Sequence, residues 1–260
     1  MDWERTRTVS DRVVAVAQTG STNADLVGAI DAGEDWPHLG VLLTRDQRAG
    51  RGRLDRRWVA PPGAALAVSV VVRVPQLPVS ARGWIPLVAG VAMRKAVAAQ
   101  TAGHETGLKW PNDVLAGGDD GTLRKICGVL AEATSVPDAV VIGTGINTRL
   151  AYDDLPVPTA TSFPVLGVDC DEDALVADYL SELDRLLDAL AAAGGDAVAS
   201  RVHEAASAVC STLGREVNVS LPEGSALRGR AVSLAPDGRL VVESADGAVA
   251  VSAGDVVHVR

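Results

Sequence analysis

A cluster of arginines stands out between positions 48 and 58 of the chain. The stretch reads RAGRGRLDRRW and contains five arginines and one aspartate, whereas the whole chain carries a formal net charge of −9. Like charges this close repel one another unless an anion lies among them. Because the planar arginine fork binds phosphate oxygens in pairs and stays charged at any working pH, we predict an anion site here, with phosphate as the favoured group. A solvated basic loop and an RNA contact fit the composition about equally well.

Glycine and tryptophan accompany these arginines. Gly50 and Gly52 allow the backbone to come close to a ligand and to adopt conformations that are closed to other residues. Arg51 and Arg53 flank Gly52, and in an extended chain both project to the same side. Trp58 ends the segment and is a candidate for an apolar wall of the site.

Two further regions place charge and glycine near the ends of predicted strands. KWPND at 109–113 sets Lys109 at a strand end, where proline and asparagine favour a turn. A lysine there can stabilise charge that develops on a phosphate or carboxylate, but a surface lysine before a turn explains the pattern as well. KICGVL at 125–130 and GTGIN at 143–147 contain glycines where only a bulge or a closely approaching ligand requires them. Neither pattern is a dinucleotide fingerprint or a Walker loop.

Size, composition and charge limit the number of domains and the classes of ligand that the chain can have. With 260 residues, 47% of them apolar, it can form one large domain or a large domain and a small one. The net negative charge argues against a general affinity for nucleic acid or for an anionic membrane. The three cysteines and four histidines are widely scattered, so we predict no disulfide framework and no metal site.

No segment has the character of a targeting or membrane-spanning peptide. The N-terminal MDWERTRTVSDR mixes both charge signs and lacks the apolar run of a signal peptide. The longest apolar runs, such as AALAVSVVV at 64–72, are shorter than the about 20 residues that cross a bilayer. We expect a soluble, cytoplasmic protein.

Apolar periodicity and turn residues predict the elements that position these segments. The expected strands are 13–18, 40–47 and 65–74, the last buried on both faces, followed by closely spaced strands within 107–147. The expected helices are 21–32, capped by Ser21, Thr22 or Asn23, then 84–100, 175–190 and one ending near Cys210, with a loop over 151–171. Because a parallel return needs a crossover of about a dozen residues, the closely spaced strands are expected to be antiparallel neighbours.

The character of the sequence changes after Leu213. Short alternating strands are separated by Pro-Glu-Gly, Pro-Asp-Gly and Asp-Gly turns, which predicts a small β-barrel or sandwich. Its roughly 47 residues are near the lower limit for independent folding, so we expect it to lean on the larger domain. We place the domains at 1–212 and 213–260.

Five segments that occur in order along the chain resemble the motifs of the biotin–protein ligases. They are STN at 21–23, QRAGRGRLDRRW at 47–58, KWPND at 109–113, KICGVL at 125–130 and GTGIN at 143–147. The likeness is strong from Val13 to about Asn147, weaker over the helices that follow, and present again in the C-terminal β module. It implies an α+β fold with a mixed, largely antiparallel sheet flanked by helices, as in class II synthetases, and a small C-terminal SH3-like β-barrel.

Members of this family use ATP to activate biotin as biotinyl-5′-adenylate and then pass the biotinyl group to one lysine of a biotin carboxyl carrier domain. The resemblance implies the same activity here, with biotin and ATP as substrates and Mg²⁺ accompanying the ATP. The implied partner is the carrier protein of an acyl-CoA carboxylase, and we expect a monomer or a weak homodimer. Many bacterial members begin with a DNA-binding domain; because the first catalytic strand is predicted near Val13, we expect no repressor function.

The resemblance also assigns residues to biotin. Ser21 and Thr22 match the motif that lines the pocket of the ureido ring, to which Gln47 adds an amide. Gly128 and Gly143 are implied to let biotin lie flat on the sheet. The full set implied for biotin is Ser21, Thr22, Asn23, Gln47, Gly50, Arg51, Trp58, Lys109, Gly128 and Gly143.

A second set is implied for the nucleotide and for catalysis. Lys109 matches the lysine that contacts the reacting carboxylate and the α-phosphate, Arg53 is implied to grip the adenylate phosphate, and Arg56 to reach the pyrophosphate. Phe163 or aliphatic residues are expected at adenine, where some members stack a tryptophan. The set implied for ATP is Arg53, Arg56, Lys109, Asn112, Lys125 and Asn147, and the set implied for catalysis is Lys109, Arg53 and Arg51.

Three other functions stay open at this point. Lipoate–protein ligases and octanoyltransferases share the fold, although the GRGRxxRxW loop favours biotin. A non-catalytic module whose arginine–glycine loop contacts RNA would show strong, salt-sensitive binding, which an acidic chain disfavours. A biotin-sensing homologue without activity is the third, and the presence of Arg51, Arg53 and Lys109 argues against it.

Overall fold

One mixed sheet forms the centre of the larger domain. The computed structural model of the protein describes residues 2–53, 56–118, 120–221, 225–252 and 254–259. The first nine strands are β1 (Val13–Ala15), β2 (Val41–Thr44), β3 (Gly50–Arg51), β4 (Arg57–Trp58), β5 (Leu66–Arg73), β6 (Thr106–Lys109), β7 (Asp113–Gly117), β8 (Leu123–Ala133) and β9 (Ala139–Ile146). Strands β3 and β4 form a separate hairpin, and the other seven join in the order β1-β2-β5-β9-β8-β7-β6. Strands β1 and β2 run parallel, and the pairs from β2 to β6 are antiparallel. The antiparallel pairing of β6 to β9 confirms the prediction from their short connections.

Helices flank this sheet, and their ends follow from the residues that cap them. The helices are α1 (Thr22–Asp31), α2 (Ile85–Gln100), α3 (Glu172–Ala192) and α4 (Val202–Val209), which confirms the expected ones to within a few residues. The side chain of Ser21 accepts a hydrogen bond from the first turn of α1, and that of Asp171 does the same for α3. Over the described ranges, no helix is both long and apolar enough to span a membrane.

The two faces of the sheet are covered to different extents. Side chains alternate between the faces along each strand. Alternate residues of β5 from Leu66 to Val72 join α2 and α3 in the main core, whereas Val71 packs on the other face with Leu26 and Ile30 of α1. Strand β5 is therefore buried on both faces, as predicted. Helix α1 covers only part of the second face, and the remainder forms the floor of a cleft.

The C-terminal strands form a second sheet that shares the core of the larger domain. They are β10 (Glu216–Ser220), β11 (Ala226–Leu234), β12 (Leu240–Ser244), β13 (Gly247–Val251) and β14 (Asp255–His258), paired antiparallel in the order β13-β12-β11-β10-β14. The pairings among described residues form an open row rather than a closed ring, and the predicted turn at 222–224 lies outside the described residues. Val217, Ala231 and Leu240 belong to the same core cluster as α2 and α3. The module therefore leans on the larger domain, as predicted.

Two tryptophans of the larger domain anchor one turn of this module. The indole N–H of Trp84 donates to the carbonyl of Pro236 at 2.9 Å, and that of Trp110 donates to the carbonyl of Gly238 at 3.0 Å. Both acceptors belong to the predicted Pro-Asp-Gly turn between β11 and β12. Because both indoles are buried, these hydrogen bonds fix the position of the module as well as satisfying the rings.

A buried carboxylate fixes the loops that leave β2 and β9. Glu172, the first residue of α3, has no solvent exposure and forms ion pairs with Arg45 and Arg149, while it accepts a hydrogen bond from Thr148 at 2.7 Å. Burial alone would raise the pKa of Glu172, but the hydrogen bonds from Arg45 and Thr148 outweigh burial and hold the pKa below its ordinary value. Since the loop after β2 leads into β3, this ionic cluster also fixes the base of the hairpin.

The proline-rich loop over 151–171 returns to the sheet beside β8. Two short 3-10 turns lie in it, at Tyr152–Asp154 and Pro164–Leu166, and Ala160 forms an isolated bridge with Lys125. Phe163 is completely buried in the main core. The expectation that Phe163 serves adenine is therefore wrong, because a ring enclosed by the core offers no face to a ligand.

Candidate active site

The floor of the cleft is a patch of sheet with small side chains. Ala67, Gly145 and Gly128 stand opposite one another on β5, β9 and β8, and residues opposite one another in an antiparallel pair share a face of the sheet. Ser69 and Gly143 stand opposite each other in the neighbouring row, two residues along each strand. The two rows are about 7 Å apart along the strands. The small residues leave a slot on this face of the sheet.

Three side chains lie directly on the glycines of the floor, where a Cβ atom would collide with them. The closest approaches to an ideal Cβ position are 2.3 Å for Asn23 at Gly143, 2.6 Å for Trp58 at Gly145 and 2.9 Å for Lys125 at Gly128. Real Cβ atoms essentially never come within 3.0 Å of such neighbours. A side chain at Gly143 or Gly145 would therefore displace Asn23 or Trp58, whereas at Gly128 it would displace only the flexible end of Lys125.

A polar network closes the end of the cleft beside Gly143. The side-chain oxygen of Gln47 accepts hydrogen bonds from the backbone N–H of Thr22 at 2.9 Å and from its hydroxyl at 3.1 Å. The hydroxyl of Ser69 lies 2.7 Å from the Thr22 hydroxyl and 2.5 Å from the amide oxygen of Asn23. Thr22, Asn23 and Ser69 are all buried. Fixed donors and acceptors of this kind suit a small, uncharged, polar ring.

The β3–β4 hairpin carries the predicted arginines to the cleft. Arg51 pairs with Arg57 across the hairpin, and Gly50 pairs with Trp58. A Cβ atom at Gly50 would lie 2.5 Å from the carbonyl oxygen of Trp58, so closure of the hairpin requires this glycine. The hairpin residues that line the cleft are Arg51, Gly52, Arg53, Arg56, Arg57 and Trp58, and residues 54–55 lie outside the described part of the chain.

A β-bulge turns Lys125 toward the cleft. Lys125 and Cys127 pair with consecutive residues of β7, so Ile126 between them is an extra residue in β8. The extra residue places Lys125 on the same face as Gly128, whereas uninterrupted alternation would place it on the opposite face. Its ammonium nitrogen lies 2.6 Å from Oδ1 of Asp113, which is also on the cleft. The bulge thus creates the cationic end of the site.

Lys109 lies elsewhere and is not among the described residues that line the cleft. It ends β6 opposite Asp113, and β6 is the last strand of the sheet, two strands or about 10 Å away from the position of Gly128 on β8. Leu108 forms an isolated bridge with Cys210, and the backbone N–H of Trp110 donates to the hydroxyl of Thr212 at 3.0 Å, so the end of β6 lies beside the segment that leads into the C-terminal module. The structure brings Lys125, rather than Lys109, together with the hairpin arginines.

The two predicted asparagines occupy different positions. Asn112 lines the cleft, where its Oδ1 accepts a hydrogen bond from the Arg53 guanidinium at 3.3 Å and its Nδ2 donates to the carbonyl of Val129 at 2.7 Å. Asn147 is buried, and its Nδ2 donates to the carbonyl of Thr161 at 2.8 Å. Asn112 therefore belongs to the site, whereas Asn147 holds the loop that follows β9 and is not among the described lining residues.

Three further polar residues of the site are not predicted from the sequence. Ser69 is fully buried in the floor strand, Asp113 pairs with Lys125, and Glu132 accepts hydrogen bonds from Asn23 and Arg51. Ser69 and Glu132 each interrupt an apolar strand, and a polar residue in such a run is a signal that something must satisfy it. That signal alone does not identify the partner.

Charge is distributed unevenly along the cleft. Within the described chain, the lining residues include five cations and one carboxylate, namely Arg51, Arg53, Arg56, Arg57, Lys125 and Asp113. No group of three or more histidine, cysteine, aspartate or glutamate side chains that could hold a metal ion occurs in the ranges that the structure describes. The site can bind a polar ring at one end and can stabilise negative charge at the other.

Comparison with protein families gives two matches along the chain. The family described as "Biotin/lipoate A/B protein ligase family" matches residues 16–147, and "Biotin protein ligase C terminal domain" matches residues 212–259. A biotin--[acetyl-CoA-carboxylase] ligase of Mycobacterium tuberculosis is 42% identical over 248 residues, which cover 94% of this chain and 88% of that protein. The bifunctional ligase/repressor BirA of Escherichia coli is 31% identical over 169 residues, which cover 63% of this chain and 49% of that protein.

Solved structures show the same fold. Biotin protein ligase from Aquifex aeolicus, in complex with biotin and ATP, superposes with a TM-score of 0.76 at 23% identity, covering 96% of this chain and 99% of that chain. The biotin protein ligase of Leishmania major, in complex with biotinyl-5-AMP, gives a TM-score of 0.58 at 23% identity, covering 93% of this chain and 99% of that chain. These likenesses confirm the predicted fold class.

Proposed function

The chain belongs to the biotin/lipoate A/B protein ligase family, and from this premise we propose that it is a biotin protein ligase whose two reaction steps share the cleft. In the first step a carboxylate oxygen of biotin attacks the α-phosphorus of ATP, and pyrophosphate leaves. The product is biotinyl-5′-adenylate. In the second step the ε-amine of an acceptor lysine attacks the carbonyl carbon of this mixed anhydride. The amine loses a proton, AMP leaves with the bridging oxygen, and an amide bond remains.

One observation carries the proposal: the cleft combines a buried polar network with a row of cations over a floor of glycines. The ureido ring of biotin has donors and an acceptor in fixed directions, which Thr22, Gln47 and Asn23 can match, while the buried Ser69 hydroxyl holds Thr22 and Asn23 in position. A dithiolane ring, as in lipoate, offers no hydrogen-bonding group to this network and would gain none of the hydrogen bonds, worth about 0.5–1.5 kcal/mol each, that a ureido ring can form there. The polar end therefore favours biotin over lipoate.

We assign the stabilisation of the reacting groups to Lys125. Its ammonium lies on Gly128, about 7 Å along the strands from the Gly143 row that we assign to the ring. The carboxylate of biotin projects from the ring on a short aliphatic chain, so it would reach this end of the slot. Asp113 holds the ammonium at 2.6 Å and fixes its position over Gly128. A fixed positive charge there stabilises the negative charge that builds on the attacked phosphate.

The hairpin arginines are assigned to the nucleotide and to exclusion of water. Arg53, which donates to Asn112, would contact the adenylate phosphate, and Arg56, which also lines the cleft, would meet the departing pyrophosphate. Trp58 lies on Gly145 and would cover the aliphatic chain of biotin. No side-chain nucleophile is needed, because the mixed anhydride is itself reactive. Catalysis then rests on positioning, charge neutralisation and shielding of the anhydride from water.

Magnesium is assigned to the nucleotide rather than to a resident site. The carboxylate that lines the cleft, Asp113, is already paired with Lys125, and the described residues contain no cluster of metal ligands. Mg²⁺ binds substrate phosphates and retains several waters in many such enzymes. The donor set therefore fits ATP that arrives as its magnesium complex.

The acceptor is proposed to be the carrier domain of a biotin-dependent acyl-CoA carboxylase. The support is the name of the relative from Mycobacterium tuberculosis, which is a biotin--[acetyl-CoA-carboxylase] ligase and is similar over 94% of this chain. A monomer or a weak homodimer remains the prediction for the free enzyme, and the boundary between residues 212 and 213 remains the prediction for its domains.

The test is a reconstituted transfer reaction. Purified protein, biotin, MgATP and a carrier domain are combined, and the intact mass of the carrier is measured together with pyrophosphate release. We expect one biotinyl group per carrier and none on a carrier whose acceptor lysine is replaced by arginine. Lipoate in place of biotin should give pyrophosphate at least about tenfold more slowly. No modification of the carrier, or equal rates with lipoate, would refute the proposal.

A further inference from the structure

Glu132 joins two parts of the site that come from different elements. Its Oε2 accepts a hydrogen bond from Nδ2 of Asn23 at 2.7 Å, and its Oε1 accepts one from the Arg51 guanidinium at 3.0 Å. Asn23 in turn lies 2.5 Å from the hydroxyl of Ser69 and donates to the carbonyl of Leu130 at 3.2 Å. A continuous chain of hydrogen bonds therefore runs from the floor of the cleft to the arginine hairpin.

Burial decreases along this chain in the direction of the hairpin. Asn23 is 5% exposed, the side chain of Glu132 is 24% exposed, and that of Arg51 is 53% exposed. Each of the hairpin strands has only two residues, and such a hairpin is marginal unless other contacts hold it. In this series of hydrogen bonds, Asn23 at the start of α1 is therefore held firmly, whereas Arg51 on the short hairpin depends on the contact with Glu132. A charge-assisted hydrogen bond from a partly buried carboxylate supplies that support.

The position of Glu132 determines whether it can hold Arg51 while the substrates are bound, or whether a bound anion would displace it from Arg51. On β8 it stands four residues beyond Gly128, which is about 13 Å along the strand from the end that carries Lys125. A phosphate held by Lys125 is therefore too distant to displace Glu132 from Arg51. The ring end of the cleft, at Asn23 and Ser69, lies much closer and has no net charge with which to compete. The ion pair can thus remain formed while both substrates are bound.

We propose that Glu132 is a positioning residue that holds Arg51 over the ring end of the cleft and thereby sets the affinity for biotin rather than for ATP. The inference rests on the function proposed above. Replacement of Glu132 by glutamine tests it, because both partners of Glu132 donate hydrogen bonds whereas an amide has a single acceptor oxygen. The glutamine side chain can satisfy Asn23 or Arg51, but its amino group then faces the other donor.

The experiment compares Glu132→Gln, Arg51→Ala and the double variant with the wild-type protein. Biotin affinity is measured by titration calorimetry without nucleotide, and the KM values for biotin and MgATP are measured from pyrophosphate release. Glu132→Gln should weaken biotin binding about tenfold and leave the KM for MgATP within about twofold. Arg51→Ala should have a similar effect, and the double variant should be no worse than the more affected single variant. Glu204→Gln, which breaks an exposed ion pair with Arg201, is the matched control and should bind biotin normally.

Three outcomes would contradict the proposal that Glu132 positions Arg51. The first is unchanged biotin affinity in Glu132→Gln, and the second is effects of the two single changes that add in the double variant. The third is an equal increase in the KM values for biotin and for MgATP. Arg51→Ala keeps the test informative if the glutamine variant fails to fold, because its side chain is half exposed and its loss leaves Asn23 and Glu132 in contact. Failure of the proposed function is a separate result, in which the wild-type protein itself neither binds biotin nor releases pyrophosphate.

Discussion

One extra residue in β8 determines that Lys125 faces the cleft. Alternation along β8 places Lys125 on the face opposite Gly128, and the KWPND motif directs attention to Lys109. The extra residue Ile126 places Lys125 on the face of Gly128, as its inclusion among the residues implied for ATP requires, and the described lining of the cleft includes Lys125 but not Lys109. A bulge has no residue signature in KICGVL, so this arrangement could not be predicted from the sequence.

Replacement of each lysine by alanine tests this assignment. Lys125→Ala should slow the biotin-dependent release of pyrophosphate by about 100-fold or more, because it removes a positive charge from the reacting groups. Lys109→Ala, a change of the same type two strands away, should stay within about threefold of the wild-type rate. The reverse pattern would show that Lys109, rather than Lys125, stabilises the reacting groups.

Replacement of Gly143 tests the role of the cleft floor in biotin binding. A methyl group there would lie 2.3 Å from Asn23 Oδ1, so Gly143→Ala should displace Asn23 and raise the KM for biotin about tenfold or more. Gly28→Ala is the control, because a Cβ atom at Gly28 in α1 meets nothing within 4 Å and alanine favours a helix. A wild-type KM for biotin in Gly143→Ala would contradict the role of Asn23 at the ring end.

At the scale of elements, the β3–β4 hairpin is the part of the site most dependent on external contacts. Two residue pairs close it, and its arginines reach Glu132 on β8 and Asn112 in the turn before β7. Four cationic side chains line the cleft from this one hairpin, namely Arg51, Arg53, Arg56 and Arg57. Their mutual repulsion decreases when an anion binds among them.

Bound substrates should therefore protect the hairpin from trypsin. With biotin and MgATP together, cleavage after Arg51, Arg53, Arg56 or Arg57 should slow about fivefold or more, measured by mass spectrometry of the early fragments. Cleavage after Arg201, whose side chain is 78% exposed and which is not among the described residues that line the cleft, serves as the internal control. Equal rates of hairpin cleavage with and without substrates would contradict closure around the adenylate.

Elements were easier to predict from the sequence than contacts between them. Helices α1 to α4 and the antiparallel order of β6 to β9 follow from periodicity, caps and short connections. The STN, GRGR and GTGIN segments indicate the ring end, the hairpin and the floor only through their resemblance to the motifs of the biotin–protein ligases. Ser69 and Glu132 are different, because their roles depend on the register of β5 and β8 against their neighbours, which no local pattern specifies. Phe163 is wrongly predicted because nothing local distinguishes a core aromatic from a ligand contact.

At the scale of the whole molecule, the C-terminal module and the larger domain behave as one packed body. The main core cluster contains buried residues of both, and the Trp84 and Trp110 indoles hold the turn that contains Pro236 and Gly238. Gly238 has a φ of +85°, and a Cβ atom there would lie 3.1 Å from Leu87 of α2. The turn fits the larger domain only with glycine at this position.

The chain should consequently unfold in a single transition. Tryptophan fluorescence and far-ultraviolet circular dichroism should give coincident urea curves, and Gly238→Ala should lower the free energy of unfolding by about 2–4 kcal/mol. Gly214→Ala is the matched control: its φ is +79°, but a Cβ atom there meets nothing within 4 Å, so its cost should be limited to the backbone term of about 1–3 kcal/mol. Two separate transitions would contradict the shared core.

The most direct measurement of the central claim is a crystal structure of the protein grown with biotin and MgATP. We predict density for biotinyl-5′-adenylate between the Gly143–Gly145 floor and the β3–β4 hairpin, with the ring beside Asn23 and Ser69 and the phosphate between Lys125 and Arg53. An intermediate bound elsewhere, for example beside Lys109 and the C-terminal module, would contradict this account of the cleft.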